Sequence, residues 1–507
     1  MKTIAQIYAF LRYFYPGSLS IFSENYSLDL FNYNHCLIKN LCQDHRLVID
    51  QDAFVALKGK VHDGHQYVNN VITKGVKLIL VEDLSLISAN NLSFVIEIIG
   101  LQSILAELAS WFYSDPSKCQ HIFSVTGTNG KSSICHFLAQ SLTKLQHKVG
   151  VLGSIGNGVF PQLSDSVLTT LDNLNLQRTL KFCRDNGANI IAMEASSHAI
   201  EQQRIAKINI KTAIFSNLDV DHLDYHITMD NYFQAKLKLF VIPSVCCCVV
   251  NIDNGYGIRL YNYLIANTTK VVFSFSLINC NADYYMPIKS ILTDGFEVDI
   301  FFQRKYKSDL MIPIIGEYNL SNIAATVCTL LANGYDFNKV INTLGSLHNI
   351  KGRLEKVVYF RKALVVIDYA HTADGLAKVL QALRPQTKGK LYCVFGCGGS
   401  REHSKRPVMA KIAQSYADFS IVTEDNSRTD KIQDIIKDII SGFDYGFKDF
   451  IIIEDRKQAI EYILQKALPE DVILLAGKGH ETYLDINNKK IHFDEREIIA
   501  NFWREND

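Results

Sequence analysis

The stretch that most limits what this chain can fold into is Val125-Thr126-Gly127-Thr128-Asn129-Gly130-Lys131-Ser132-Ser133. Before it, Ile122-Phe123-Ser124-Val125 is a short apolar run that reads as a buried strand. After it, Ile134, Phe137, Leu138, Leu142 and Leu145 fall on one stripe at helical spacing. Strand, glycine loop and helix in that order form the context a phosphate loop requires. The glycines let backbone approach phosphate oxygens, and the helix start offers unpaired N–H groups and a positive dipole end. Lys131 adds a point charge and Ser132 a hydroxyl suited to magnesium. The spacing is Gly-x-x-Gly-Lys-Ser, with Val125 where the usual loop has a further glycine. The plain alternative is an ordinary strand-to-helix turn. With strand and helix both in place, nucleotide binding is the expectation.

At 507 residues the chain has room for about three domains, each with its own core. Lysine plus arginine equals aspartate plus glutamate, 52 each, which argues against a nucleic-acid or anionic-membrane surface. No run of apolar residues is long enough for a membrane span, and Met1-Lys2-Thr3-Ile4 does not open a signal peptide. Twelve cysteines are present without a Cys-x-x-Cys pair, so neither a zinc site nor a disulfide framework is expected. Cys246-Cys247-Cys248 reads as part of a buried strand running to Val250. A reducing cytoplasm fits this usage.

Three α/β segments follow from the order of apolar runs. Residues 1–117 hold strand candidates at Ala53–Leu57 and Val76–Val81 and a helical stripe from Leu101 to Phe112. Ser114-Asp115-Pro116-Ser117 then reads as a linker. Residues 118–350 alternate strands at Val149–Leu152, Asn189–Met193, Ala213–Ser216 and Val245–Val250 with helical patterns, which predicts a mostly parallel sheet. Residues 351–507 start the alternation again at Leu364–Ile367, Leu391–Phe395, Ser420–Val422, Phe450–Ile453 and Val472–Leu475. That is a second doubly wound, Rossmann-like sheet without its own lysine loop. Ligands in such sheets sit at the C-terminal strand ends, so the polar residues there are the functional candidates. Glu194 and His222 are two of them. A carboxylate and an imidazole beside a phosphate loop suit a divalent cation, while a helix cap and a solvated loop are the bland alternative of equal weight.

Seven motifs occur in order: Thr126–Ser133, Met193–His198, Asn217–His226, Gly316–Asn319, Gly352–Glu355, Asp368–Thr372 and Gly477–Glu481. This set resembles the Mur ligase family of ATP-dependent amide-forming enzymes. It is most similar to the MurE-type branch, which adds the third peptide residue to UDP-N-acetylmuramoyl-L-alanyl-D-glutamate. The likeness runs from about residue 44 to the C-terminus. It implies a smaller N-terminal α/β domain binding the uridine nucleotide, a central P-loop ATPase-like domain and a C-terminal Rossmann-like domain binding the amino acid. It also implies an acyl-phosphate intermediate, magnesium with ATP as co-substrate, a monomer and a role in peptidoglycan precursor synthesis.

Residue by residue, the resemblance implies that Lys131, Glu194, His222 and Lys236 carry catalysis. Ser132 and Glu194 hold one magnesium, and His222 helps hold another. Lys236, in Tyr232-Phe233-Gln234-Ala235-Lys236, matches a lysine that carries a carbamate; otherwise it is an exposed helix lysine. ATP is held by Gly127, Thr128, Asn129, Gly130, Lys131, Ser132 and Ser133, and also by Asn319, Arg353, Asp368, Tyr369 and His371. Arg353 would reach ATP on closure; the alternative is a hinge arginine paired to Glu355. The uridine substrate falls to His45, Lys60, Val61, His62, Thr169, Thr170, Ser196, Gln202 and Arg204. His45 stands where the family has serine, in Asp44-His45-Arg46.

The amino acid falls to Arg401, Asp425, Asn426, Ser427, Arg428, Gly477 and Glu481. Relatives that add meso-diaminopimelate have Asp-Asn-Pro-Arg where this chain has Asp425-Asn426-Ser427-Arg428. Diaminopimelate differs from lysine by a carboxylate on its far carbon, and a planar guanidinium can hold that group by two hydrogen bonds. Glu481 is placed to receive the far ammonium. Ser427 for proline loosens the turn but keeps the arginine. L-lysine as substrate, a sister Mur or folylpolyglutamate ligase, and a nucleotide-binding regulator without turnover are the alternatives. The Asp-Asn-x-Arg stretch opposes the sister ligases, and intact Lys131, Glu194, His222 and Lys236 oppose the regulator.

Overall fold

The structure is a computed structural model that describes residues 1–17, 19–22, 35–59, 62–86, 94–166, 168–357 and 362–506. The chain divides into two compact units, residues 1–135 with 146–248 and 263–271, and residues 136–145 with 249–262 and 272–507.

The first unit opens on helix α1 (Ile4–Phe14), whose Thr3 and Gln6 form a reciprocal capping box. A five-stranded sheet follows, built from β1 (Leu19–Phe22), β2 (Asn40–Cys42), β3 (Asp52–Ala56), β4 (Leu78–Val81) and β5 (Phe94–Ile98). Its order is β1-β5-β4-β3-β2, parallel except for β1. Alternation sorts its side chains to two faces. Ala53, Val55, Leu78 and Leu80 pack with α1 and with α2 (Leu101–Phe112), whereas Phe54, Ala56, Ile79 and Val81 pack with Val68 and Val71. The expected linker is a tight turn: Ser114 and Asp115 have φ of 64° and 43°, and Pro116–Cys119 is a short 3-10 helix.

Next come β6 (His121–Thr126), β7 (Val149–Gly153), β8 (Gly156–Val159), β9 (Gln162–Ser164), β10 (Ile190–Glu194) and β11 (Ile210–Phe215). Their order is β9-β8-β7-β10-β6-β11, and β7, β10, β6 and β11 are parallel. The hairpin β8–β9 is antiparallel and was not foreseen. Helix α3 (Lys131–Lys144) leaves the loop after β6, as the apolar stripe predicts. Cys246 lies outside the strand Cys247–Asn251 and is exposed, so the buried strand starts two residues later than the expected Val245.

In the second unit, β12 (Ile288–Leu292), β13 (Gly295–Phe302) and β14 (Lys305–Ile312) form an antiparallel meander. The expectation of a mostly parallel arrangement missed it. Its strands carry charged residues among the apolar ones, as in Glu297, Asp299, Lys305 and Lys307, so their apolar runs are broken. The last sheet has β15 (Glu355–Val357), β16 (Leu364–Asp368), β17 (Leu391–Phe395), β18 (Phe419–Val422), β19 (Phe450–Ile452) and β20 (Val472–Ala476) in the order β15-β16-β20-β17-β18-β19. All are parallel but β15. Helices cover both faces. Leu364, Val366, Cys393 and Leu474 face Leu376, Leu380 and Met409, while Val365, Ile367, Val394 and Ile473 face Ile460, Ile463 and Trp503. This is the expected doubly wound sheet. All twelve cysteines are free. Among the described residues no helix is long and apolar enough to cross a membrane.

Candidate functional site

The first unit gathers its polar candidates at the C-terminal ends of β7, β10, β6 and β11. Gly127 follows β6 so closely on Ser216 and Asn217 that a side chain there would collide with the Ser216 hydroxyl. Asn217 Oδ1 accepts from Asn129 N at 2.9 Å and fixes the loop. Lys131 Nζ donates to Gly127 O at 3.0 Å and Thr128 O at 2.9 Å. Lys236 Nζ donates to the same Gly127 carbonyl at 2.8 Å and lies 4.5 Å from the Tyr232 ring centroid. Lys236 is 1 % exposed, so the reading as a solvated helix lysine fails. Burial, then the neighbouring Lys131 charge, pulls its amine well below the ordinary lysine range. Burial also lowers Lys131, against the pull of Glu194.

Glu194 ends β10 and is 2 % exposed. Its Oε1 accepts from Ser132 Oγ at 2.8 Å and Ser154 N at 2.7 Å. Burial raises its carboxyl despite Lys131 and these donors. Lys131, Ser132, Glu194 and Lys236 therefore meet at one loop. His222 stands at the edge of this group. It is exposed, with φ of 51°, its ring 6.1 Å from that of Tyr232 and 5.0 Å from that of His198.

Thr169, Thr170, Ser196, Gln202 and Arg204 form a second set beside Glu194. Ser154 Oγ donates to Thr169 Oγ1 at 3.0 Å, and Thr170 Oγ1 donates to Glu194 O at 2.9 Å. Thr170 Oγ1 accepts from Ser196 N at 3.1 Å, and Ser196 caps the short helix Ser197–Glu201. Arg204 donates to Thr170 O at 3.0 Å and to Gln202 Oε1 at 2.6 Å. In the five-stranded domain the His45 ring stacks on Tyr67 at 3.7 Å, a flat surface. His62 is exposed and its carbonyl accepts from Gly59 N at 2.9 Å. Lys60 and Val61 lie outside the described residues.

The second unit gathers its candidates at the ends of β16, β20, β17 and β18. Asp368 ends β16 and accepts from Leu354 N at 2.7 Å and Ala370 N at 2.8 Å. Burial raises its carboxyl nonetheless. The Arg353 guanidinium lies 5.2 Å from the Tyr369 ring centroid, and the His371 ring 4.7 Å from it. Glu355 is paired with Arg496, so the alternative of an Arg353–Glu355 hinge pair is not what forms. Asn319 is buried at the start of its helix, its amide donating to Ile315 O at 2.9 Å.

Arg428 Nη1 donates to Gly399 O at 2.8 Å, and its Nε lies 3.8 Å from Asp485 Oδ2. Asn426 Nδ2 donates to Glu481 Oε2 at 2.9 Å. Gly477 has φ of 115° and lies against Asp425, whose Oδ1 accepts from Asn426 N. Ser427 is buried and Arg401 exposed. Asp425 to Arg428, Gly477 and Glu481 thus come together. Sequence reasoning missed three partners: Asn217, Ser154 and Lys478. Lys478 sits in a motif already singled out, but only its full burial distinguishes it.

The chain matches the Mur ligase middle domain over residues 125–330 and the Mur ligase, glutamate ligase domain over residues 352–479. It is 38% identical over 485 residues to the UDP-N-acetylmuramoyl-L-alanyl-D-glutamate–2,6-diaminopimelate ligase of Haemophilus influenzae (strain PittGG), covering 92% of this chain and 97% of that one. The protein of the same name from Pseudomonas putida is 38% identical over 468 residues, with 90% and 93% covered. A solved structure of a ligase of that name superposes with a TM-score of 0.70 at 29% identity, covering 92% and 95%. The MurF ligase from Thermotoga maritima in complex with ADP shares the fold, with a TM-score of 0.61 at 16% identity and 93% and 98% covered. Similarity of this extent along nearly the whole length leaves one assignment: the chain belongs to the Mur ligase family.

Proposed function

We propose that this chain is an ATP-dependent acid–amino-acid ligase that joins meso-diaminopimelate to UDP-N-acetylmuramoyl-L-alanyl-D-glutamate in peptidoglycan precursor synthesis. The relatives' names support the substrates. The observation that carries the choice of amino acid is the pairing of opposite charges through one residue. Asn426 lies 3.5 Å from Arg428 Nη1 through its carbonyl and holds Glu481 Oε2 at 2.9 Å through its amide. A guanidinium and a carboxylate tied at fixed separation match a far carbon that bears both a carboxylate and an ammonium. Arg401, Asp425, Ser427 and Gly477 shape the surroundings of that pair. L-lysine offers the ammonium alone and would leave the guanidinium unused.

The free carboxylate of the substrate's glutamyl residue attacks the γ-phosphorus of ATP, the bond to ADP breaks, and an acyl phosphate forms. The amine of the amino acid then attacks the carbonyl carbon. The carbon–oxygen bond breaks, phosphate leaves with the former carboxylate oxygen, and the amine loses a proton. Positioning and charge neutralisation dominate such a sequence. Lys131 and the loop from Gly127 to Ser133 offset phosphate charge. Asn319, Arg353, Asp368, Tyr369 and His371 are assigned to ATP as well. His45, Lys60, Val61, His62, Thr169, Thr170, Ser196, Gln202 and Arg204 are assigned to the uridine substrate.

The donor set beside the loop fits magnesium. Ser132 Oγ and Glu194 Oε1 are hard oxygens 2.8 Å apart, and such a cation takes few protein ligands, with phosphates supplying the others. Bound there, magnesium would polarise and shield the transferring phosphoryl group. His222 is assigned to a second ion. Burial and the Lys131 charge favour the neutral form of the Lys236 amine, the form that attacks carbon dioxide, which suits a carbamate at that position. We assign residues 1–117, 118–350 and 351–507 to the uridine-substrate, ATP and amino-acid domains of a monomer working in the cytoplasm. The test is isotopic. With oxygen-18 in the glutamyl carboxylate, released phosphate should carry one labelled oxygen, and unlabelled phosphate would overturn the acyl-phosphate route.

A further inference from the structure

Of Gly477-Lys478-Gly479-His480-Glu481, the sequence reading and the mechanism use only Gly477 and Glu481, and Lys478 carries the buried side chain among the rest. It is 0 % exposed. A lysine fully inside a protein must be paired, since an unpaired buried charge is very costly. Its ammonium has two partners: Glu481 Oε2 at 2.8 Å and Asn426 Oδ1 at 2.9 Å. The Tyr483 ring centroid is 5.1 Å away.

These contacts divide the Glu481 carboxylate. Oε2 takes two donors, Lys478 Nζ and Asn426 Nδ2. Oε1 has the Tyr483 hydroxyl at 3.5 Å, the limit of a hydrogen bond. The same network reaches Arg428. Asn426 Oδ1 also accepts from Asp485 N at 2.8 Å, and Asp485 O accepts from Arg428 N at 2.9 Å. Arg428 O in turn accepts from Asn487 N at 2.7 Å. One buried cation therefore sits at the root of both charged poles.

We propose that Lys478 is a positioning residue for amino-acid selection: it ties up Oε2 of Glu481 and locks that carboxylate to Asn426, leaving Oε1 as the acceptor for the far ammonium at a fixed distance from Arg428. This rests on the functional reading above. Lysine suits the task because a compact ammonium on a flexible stem satisfies two acceptors at once. Groups that orient a binding residue matter nearly as much as the residue itself.

The parent enzyme is first measured with ATP, the uridine dipeptide substrate and meso-diaminopimelate; Lys478→Met and Lys478→Gln follow. The expected result for Lys478→Met is a KM for diaminopimelate raised about 10- to 100-fold, with the KM for ATP changed less than about twofold. Lys478→Gln keeps one donor and should fall between parent and Met. A folded Lys478→Met with the parent's KM for diaminopimelate overturns the inference. So does a parallel rise in all three KM values, which is what a purely structural role produces. Should Lys478→Met lack a cooperative melt, Asn426→Ala decides: the same split supports the network, and an unchanged KM for diaminopimelate refutes it. A parent that makes no product with diaminopimelate overturns the functional reading itself, and this inference with it.

Discussion

Arg428 holds a left-handed backbone, φ 50°, that only glycine adopts without strain, and the backbone of Asp485 and Asn487 clamps it on both sides. Such strain is retained where a side chain must be aimed. Arg428→Ala should raise the KM for diaminopimelate about 100-fold while leaving that for ATP near the parent's. Steady-state kinetics with each substrate varied in turn checks this, and equal constants in mutant and parent remove the assignment. Lys236 yields a pH prediction. Burial and Lys131 hold its amine well below the ordinary 10.5. Between the lowered value and 10.5 the unfolded chain binds a proton that the folded chain lacks, so stability rises with pH across that window. Lys236→Met removes this dependence. In carbon-dioxide-free buffer its melting temperature should exceed the parent's near neutral pH, with the gap closing toward pH 10.5. A gap that widens with rising pH contradicts the account. Turnover by the same variant should be lost. Lys131, Glu194 and Lys236 were legible because each occupies a fixed place in a motif. The burial of Lys236 and Lys478 was not, since both follow from packing by residues far away in the chain.

At the scale of elements, short continuous apolar runs made two strands of the first sheet and five of the last readable. Leu364 to Ile367 and Val472 to Leu475 alternate between two cores, and helices fill both. The meander β12–β14 was illegible because its apolar residues are interrupted by charges. The C-terminal helix Glu495–Asn506 is pinned by a contact that no local pattern announces. Glu495 and Arg456 are 1 % and 0 % exposed in their side chains and pair at 2.8 Å. Arg456 also donates to Ala476 O at 2.8 Å, at the end of β20. Arg456→Met leaves the Glu495 carboxylate buried without its cation, which should cost about 3–5 kcal/mol. Urea unfolding checks this; a loss below about 1 kcal/mol would place the pair among exposed ones of little consequence.

For the whole molecule, formal neutrality and parallel sheets, a type of fold that takes ligands at its C-terminal strand ends, point to small substrates. Family likeness along nearly the full length and two polar clusters, each at the strand ends of its own unit, give the same answer by independent routes. Lys131→Met should lower turnover about 1000-fold, since the loop loses its charge on the transferring phosphoryl group. A variant with parental turnover would detach the loop from the chemistry. The most direct measurement is phosphate release by the purified chain with ATP, magnesium and UDP-N-acetylmuramoyl-L-alanyl-D-glutamate across a panel of amino acids. The account predicts sustained release with meso-diaminopimelate and little with L-lysine, D-alanyl-D-alanine or no amine. Equal release with lysine, or release that ignores the amine, would contradict it.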